Sequence, residues 1–411
     1  CGGGDGEDDA ADGAGDRAGG TPTADTDVAP DDAEAAATAE GPAEVPEGDV
    51  DALYQAPDPI PDLAPGTLLR HQAVGTTDVG STLHRIMYVS ETVAGERTVV
   101  TGVVAVPAGD PPADGWPVLT HGHGSTGLAD DCAPSLAFGS ADDEGLRTAE
   151  QHLVFGHAAE AGFVVASSDY EGQGGPGRHP FLVGVSEGRS MLDAARAAGG
   201  LPGVAVDGRL AIAGYSQGGH AALWAREIAE DWAPELDLIG TVAGAAVTQV
   251  RRMAAVDDAV GSGAVALTLA AGLAAADPAL DLDGVLTDDG VLALEALDAS
   301  CEAEPAVASG ATMLTVDITA DDDWPDRLEA NEPGAATGTG PLLAVHSRVD
   351  ESVPVGDSEV LLDRLCPQGV DVEVRILPEG DHVVAAVEAY DQGVAWLAGL
   401  LAGDTPTSDC P

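Results

Sequence analysis

From residue 98 onward, short apolar runs of strand length alternate with stretches whose apolar positions recur every three or four residues. The runs at 98–106, 117–120, 163–167, 210–213, 342–345 and 372–377 predict strands. The stretches at 147–161, 188–198, 217–232, 355–365 and 383–402 predict helices. Strands separated by helices need crossover connections, so the pattern predicts an α/β fold, a mostly parallel sheet with helices on both faces. Between about 247 and 333 the alternation lapses into Ala, Leu and Val helices broken by Asp and Gly. The uncharged run 259–276 lies in that segment, is mostly Ala and Gly with Ser and Thr, and is flanked by Asp258 and Asp277. It reads as a buried or partner-facing helix and not as a membrane span.

Composition separates the first fifty residues from the rest. They hold fifteen acids, one arginine and no aromatic residue before Tyr54. Such a segment cannot bury enough apolar surface to offset its ordering entropy, so residues 1–52 read as a disordered acidic tether and 53–411 as the folded domain. Hydrophobic residues make up 44% of the chain, enough for a large core. All 16 basic residues are arginine, against 71 acids, for a net charge of −55. Phosphate contacts need clustered basic residues and only Arg251 and Arg252 stand together, so nucleic acid is excluded as a partner. The acidity reads as a heavily hydrated surface of a monomer.

The chain begins Cys1-Gly-Gly-Gly, which reads as a bacterial lipoprotein after signal-peptide removal, with a lipid on Cys1 and the acidic segment as spacer in a secreted or envelope-anchored protein. The other cysteines, Cys132, Cys301, Cys366 and Cys410, form an even set without CxxC or Cys/His spacing. Two disulfides suit an exported protein, and three pairings are open.

Candidate chemistry gathers at the ends of the predicted strands, where α/β sheets place their ligand sites. In the segment RLAIAGYSQGGHAALWAREIAEDW, Ser216 sits where a strand turns through glycines into a helix, with Gly214 and Gly218 at positions where a Cβ would clash. A second match, Gly184-Val-Ser186-Glu-Gly188, follows a proline-broken stretch, and Ser186 reads as a helix N-cap. After the run 342–345 come Asp350 and its rival Glu351; after 372–377 come Asp381 and His382. Serine is a weak nucleophile until a base takes its proton, so Ser216, Asp350 and His382 read as nucleophile, orienting acid and general base, in the chain order of α/β-hydrolases. Asp381, beside His382, is badly placed to reach the inner ring nitrogen. The loop Thr120-His-Gly-His-Gly-Ser-Thr-Gly127 brings glycines and a threonine hydroxyl toward a developing oxyanion, with the N–H of Gln217 as second donor. His121 and His123 lack a third ligand nearby, so no metal and no cofactor is expected.

The HG-rich loop with Cys132-Ala-Pro-Ser135, then Ser168-Asp-Tyr170-Glu-Gly172-Gln-Gly174, Gly214-Tyr-Ser216-Gln-Gly-Gly219, Asn331-Glu-Pro-Gly334 and the Asp350 and His382 segments together resemble the secretory lipase family, from about residue 55 to the end. The resemblance implies an α/β-hydrolase core with a helical cap inserted after the elbow helix, at 247–333, and a triad of Ser216, Asp350 and His382. It places Thr126 at the oxyanion side-chain donor, where the family's type enzyme has an acid, and implies disulfides Cys132–Cys301 and Cys366–Cys410. The expected activity is that of a serine carboxylic-ester hydrolase, a lipase or esterase acting on lipid or small-molecule esters. The alternatives are an acyltransferase using the same acyl-enzyme, or a non-catalytic envelope lipoprotein that binds an apolar ligand.

Overall fold

The computed structural model describes residues 41–139, 146–260, 263–301, 312–321, 323–335 and 338–411. Cys1 and most of the predicted tether lie outside these residues. The strands are β1 (Ala43–Glu44), β2 (Leu68–Thr76), β3 (Thr82–Glu91), β4 (Arg97–Val106), β5 (Trp116–Gly122), β6 (Val164–Ser168), β7 (Val206–Tyr215), β8 (Asp237–Gly244), β9 (Leu342–Ser347) and β10 (Val372–Leu377). The helices are α1 (Val50–Tyr54), α2 (Pro134–Ala137), α3 (Leu146–Glu160), α4 (Gly184–Gly199), α5 (Gln217–Trp232), α6 (Val250–Val260), α7 (Ala264–Ala276), α8 (Leu282–Val285), α9 (Asp288–Ala299), α10 (Pro325–Ala330), α11 (Gly356–Leu365) and α12 (His382–Leu401).

All ten strands join one sheet in the order β1-β2-β3-β4-β6-β5-β7-β8-β9-β10. Pairing is parallel from β6 through β5 to β10, while β2, β3 and β4 run as an antiparallel meander joined antiparallel to β6. The apolar runs are continuous because successive residues enter opposite cores. Val118, Leu210 and Ile212 pack with Leu192, Ala222 and Ala225 of α4 and α5 on one face. Their neighbours Leu119, Ala211 and Ala213 pack with Val154 and Phe155 of α3 and Tyr390 and Leu397 of α12 on the other.

Two readings of the pattern need correction. Residues 42–52, placed in the tether on composition, belong to the folded body: β1 pairs with β2, the Val45 N–H donates to the His71 carbonyl at 2.8 Å, and Asp49 caps α1. Backbone pairing of this kind needs no apolar side chains, so composition does not register it. The strand β8 was absent from the predicted set because Gly240 and Gly244 interrupt it. A Cβ on Gly240 would stand 2.6 Å from Leu400, and one on Gly244 would stand 2.4 Å from the Tyr215 ring. Both glycines are needed where a helix and an aromatic ring lie flat on the strand, and the same absence of side chains weakens the strand signal.

Between β8 and β9 the chain forms α6 to α10, with an apolar cluster of their own that includes Leu267, Leu269, Leu273, Leu294, Leu297, Trp324 and Leu328. Leu182 and Val183, just before α4, complete that cluster, and the backbone of Phe181 lies 2.5 Å from where a Cβ on Gly272 would stand. Among the described residues no helix is long and apolar enough to cross a membrane.

Candidate active site

Ser216 stands between the end of β7 and the first turn of α5, with φ 58° and ψ −119°. A left-handed conformation at a non-glycine residue costs about 1–3 kcal/mol and persists only where packing enforces it. The enforcing contacts are backbone. A Cβ on Gly214 would lie 2.0 Å from the Gly218 carbonyl oxygen, and one on Gly218 would lie 1.9 Å from the Gly122 oxygen. The Ser216 N–H donates to Gly244 at 2.9 Å, fixing the turn to the neighbouring strand. Ser186 differs in every respect. It lies in the first turn of α4, whose N-cap is Val183 and not Ser186 as the sequence suggested, and its hydroxyl donates to the Glu171 carboxylate instead of a helix N–H.

The loops after β9 and β10 bring Asp350 and His382 together. Asp350 Oδ2 accepts from His382 Nδ1 at 2.7 Å, while Oδ1 accepts the N–H groups of Ser352 and Val353 at 2.9 and 2.7 Å. Burial pushes the Asp350 carboxyl up, but these hydrogen bonds, that of His382 foremost, outweigh it and hold the group below the ordinary carboxylate range. It is therefore an anion facing the inner nitrogen of the ring. The rival acids are otherwise engaged. Asp381 caps α12 by accepting from the Val384 N–H, and Glu351 accepts the backbone N–H of His382. Tyr215, next to the serine, donates its hydroxyl to the His382 carbonyl at 2.8 Å and lays its ring 5.1 Å from the imidazole. This contact ties the histidine loop to the elbow.

The loop after β5 closes over the start of α5. A Cβ on Gly124 would come 3.9 Å from the Ser216 Cβ, so the glycine admits close approach to the serine. The Gly124 N–H itself is taken by Glu150 at 2.8 Å. That carboxylate also accepts from Tyr390 and lies 3.4 Å from His121 Nε2. Burial opposes its charge, yet the His121, Tyr390 and Gly124 contacts keep it below its ordinary range. Two further groups belong to this region. The Gln217 N–H opens α5, ahead of the intrahelical ladder and at the positive end of the helix dipole. The Thr126 hydroxyl accepts from the Gln173 amide at 3.2 Å.

The Gln217 side chain is buried and spent on Glu187 and His179, both at 2.8 Å. Glu187 also takes His220 Nδ1 at 2.7 Å, and His220 Nε2 meets the Asn331 carbonyl at 2.8 Å where the helical segment returns to the sheet. His121 bonds Ser167 and Tyr390, and His123 Nδ1 bonds Gly124; among the described residues neither joins a group of three metal-type ligands. Cys132 is paired with Cys301 and Cys366 with Cys410. The first bridge ties the end of the β5 loop to the segment after α9, and Gly127 is required beside it, since its Cβ would lie 2.5 Å from Cys132 Sγ.

Tyr215, Glu150, Glu187 and Gln173 were not assigned roles from the sequence. Tyr215 and Gln173 lie inside recognised motifs, which marks them in retrospect. Glu150 and Glu187 lie within helices, and nothing local distinguishes them from solvated acids.

The sequence model of the secretory lipase family matches residues 139–409. Lipase A of Moesziomyces aphidis is 23% identical over 384 residues, spanning 88% of this chain and 81% of that protein. A protein of Mycobacterium tuberculosis described as a probable inactive lipase is 26% identical over 374 residues, spanning 86% and 82%. Among solved structures, Candida antarctica lipase A superposes with a TM-score of 0.76 at 22% identity, covering 88% of this chain and 87% of that one.

Proposed function

This chain belongs to the secretory lipase family, and we propose that it hydrolyses carboxylic esters through an acyl-enzyme on Ser216, with His382 as general base and Asp350 as the acid that orients it. The class of activity, carboxylic-ester hydrolysis, follows from the family. The assignment of residues rests on one observation above all: a serine held at φ 58° on a glycine-walled elbow whose Tyr215 hydroxyl is bonded to the His382 carbonyl, with His382 Nδ1 bound to a buried carboxylate at 2.7 Å.

Because Asp350 accepts the Nδ1–H hydrogen bond, the proton stays on Nδ1, and Nε2 carries the lone pair and is the nitrogen able to accept the serine proton. The serine oxygen then attacks the ester carbonyl. The oxygen that becomes negative is met by the Gln217 N–H and the Thr126 hydroxyl, and His382 returns its proton to the departing alcohol. Water repeats the sequence on the acyl-enzyme. Asp350 stays ionised throughout and stabilises the imidazolium between steps.

A non-catalytic, ligand-binding reading has one observation in its favour, the relative described as a probable inactive lipase. One experiment separates the two. A fluorophosphonate is expected to label Ser216, located by peptide mapping, and the burst of p-nitrophenol from a p-nitrophenyl ester is expected to vanish in Ser216→Ala. An adduct on Ser186, or no adduct with no burst, would overturn the assignment.

A further inference from the structure

The motif Glu171-Gly-Gln173-Gly174 follows β6 at the same sheet edge as the serine, and the mechanism above gives it no part. Its backbone is tightly built. Tyr170, Gly172 and Gly174 all have positive φ, and a Cβ on Gly172 would stand 2.5 Å from the backbone of Arg178. That geometry turns Gln173 inward, where it is fully buried.

Among the described residues the amide of Gln173 makes two contacts, both through Nε2: to the Gly127 carbonyl at 2.6 Å and to Thr126 Oγ1 at 3.2 Å. A carbonyl can only accept, so the nitrogen must face Gly127, and a flipped amide would press two oxygens together. The second amide proton therefore points at Thr126. A hydroxyl has one proton and two lone pairs; once Thr126 accepts from Gln173, its own proton must go elsewhere. Among the described residues no acceptor takes it. The amide oxygen of Gln173, also buried, has no partner among them either, so the residue is held by its donor side alone.

We propose that Gln173 is a positioning residue for the oxyanion site: its amide forces Thr126 Oγ1 into the acceptor role and so leaves the Thr126 proton for the acyl oxygen. This rests on the reading of Ser216 as nucleophile. It assigns the glutamine a task that packing alone would not require, since an apolar side chain of equal length would fill the same space.

The test is a double-mutant cycle on the full chain with Thr126→Val, Gln173→Met and both together, measuring kcat and KM for p-nitrophenyl butyrate, with fluorophosphonate titration of Ser216 to count competent sites. Thr126→Val is expected to lower kcat about a hundredfold, the size usual for one oxyanion donor, with KM nearly unchanged. Gln173→Met should lower kcat in the parent and in a Thr126→Ser background, yet cost nothing further in Thr126→Val. An equal loss in both the Thr and Val backgrounds, or no loss in the parent, would overturn the proposal. If Gln173→Met does not fold, Gln173→Asn, whose amide is one methylene too short, takes its place in the cycle. Failure of the parent protein to titrate at Ser216 would instead overturn the reading beneath it.

Discussion

At the scale of single residues, the site is a division of labour among acids that look interchangeable in the sequence. Asp350, Glu351 and Asp381 all stand within reach of the His382 segment, but only Asp350 meets the ring; Glu351 and Asp381 satisfy backbone N–H groups. The consequence is measurable. Asp350→Asn should fold yet lose about four orders of magnitude in kcat, because the amide favours the wrong imidazole tautomer. Asp381→Asn should leave kcat and thermal stability nearly unchanged, since asparagine caps a helix as well as aspartate does, whereas Asp381→Ala should cost about 1 kcal/mol of stability and little activity. A kcat loss in Asp381→Asn exceeding that in Asp350→Asn would reassign the acid.

At the scale of elements, the strands and helices of the α/β body were legible wherever an apolar run or an amphipathic period was uninterrupted. Predicted helix 217–232 coincides with α5, and the strand before it ends at the elbow. Legibility failed where tertiary contact overrides local preference. Gly240 and Gly244 hide β8 because helix α12 and Tyr215 need their missing side chains, and β2 and β3 carry His71, Gln72 and Arg85 inward. Arg85 can be buried because it donates to Gln72 and to the carbonyls of residues 135, 136 and 138, partners that no local window contains. Ser216 directly follows β7, and Asp350 and His382 lie just beyond the ends of β9 and β10, so a search at strand ends reaches all three. The network between α4 and α5 was not legible, for it joins Glu187 to Gln217 and His220 across thirty or more positions. That network carries a pH signature. His179 accepts from the Gln217 amide and bonds the Glu171 carbonyl, and burial lowers its pKa to about 4. The unfolded chain binds this proton near pH 6.5 and the folded one does not until about 4, so stability falls as pH drops through that window, by up to about 3 kcal/mol. His179→Gln should flatten that part of the stability profile in chemical denaturation between pH 7 and 4; an unchanged slope would place the proton elsewhere.

At the scale of the whole molecule, the helical segment between β8 and β9 has its own apolar cluster, separate from the cores on the two faces of the sheet, and that cluster takes in Leu128, Leu182 and Val353 from the connections after β5, β6 and β9. The segment and the α/β body are linked by the Cys132–Cys301 bridge, by Asn331 on His220 and Trp224, and by Glu332 on Arg364 at 2.5 Å. On the proposed function, a segment pinned this way would wall the acyl chain while residues of the body perform the reaction. With aromatic residues at 3% of the chain, that wall is mainly aliphatic, and bulk added to it should discriminate by acyl length. The position for the test matters. Leu269 is fully buried in the segment's own core, so a tryptophan there would probe overpacking, costing about 1–3 kcal/mol. Ala266 on α7 is only partly covered. Ala266→Trp should therefore lower kcat/KM for long-chain p-nitrophenyl esters and spare acetate and butyrate, because only a long chain needs the filled volume. A folded variant whose kcat/KM falls equally for every chain length, or for none, would show that the helical segment does not set acyl preference at this face.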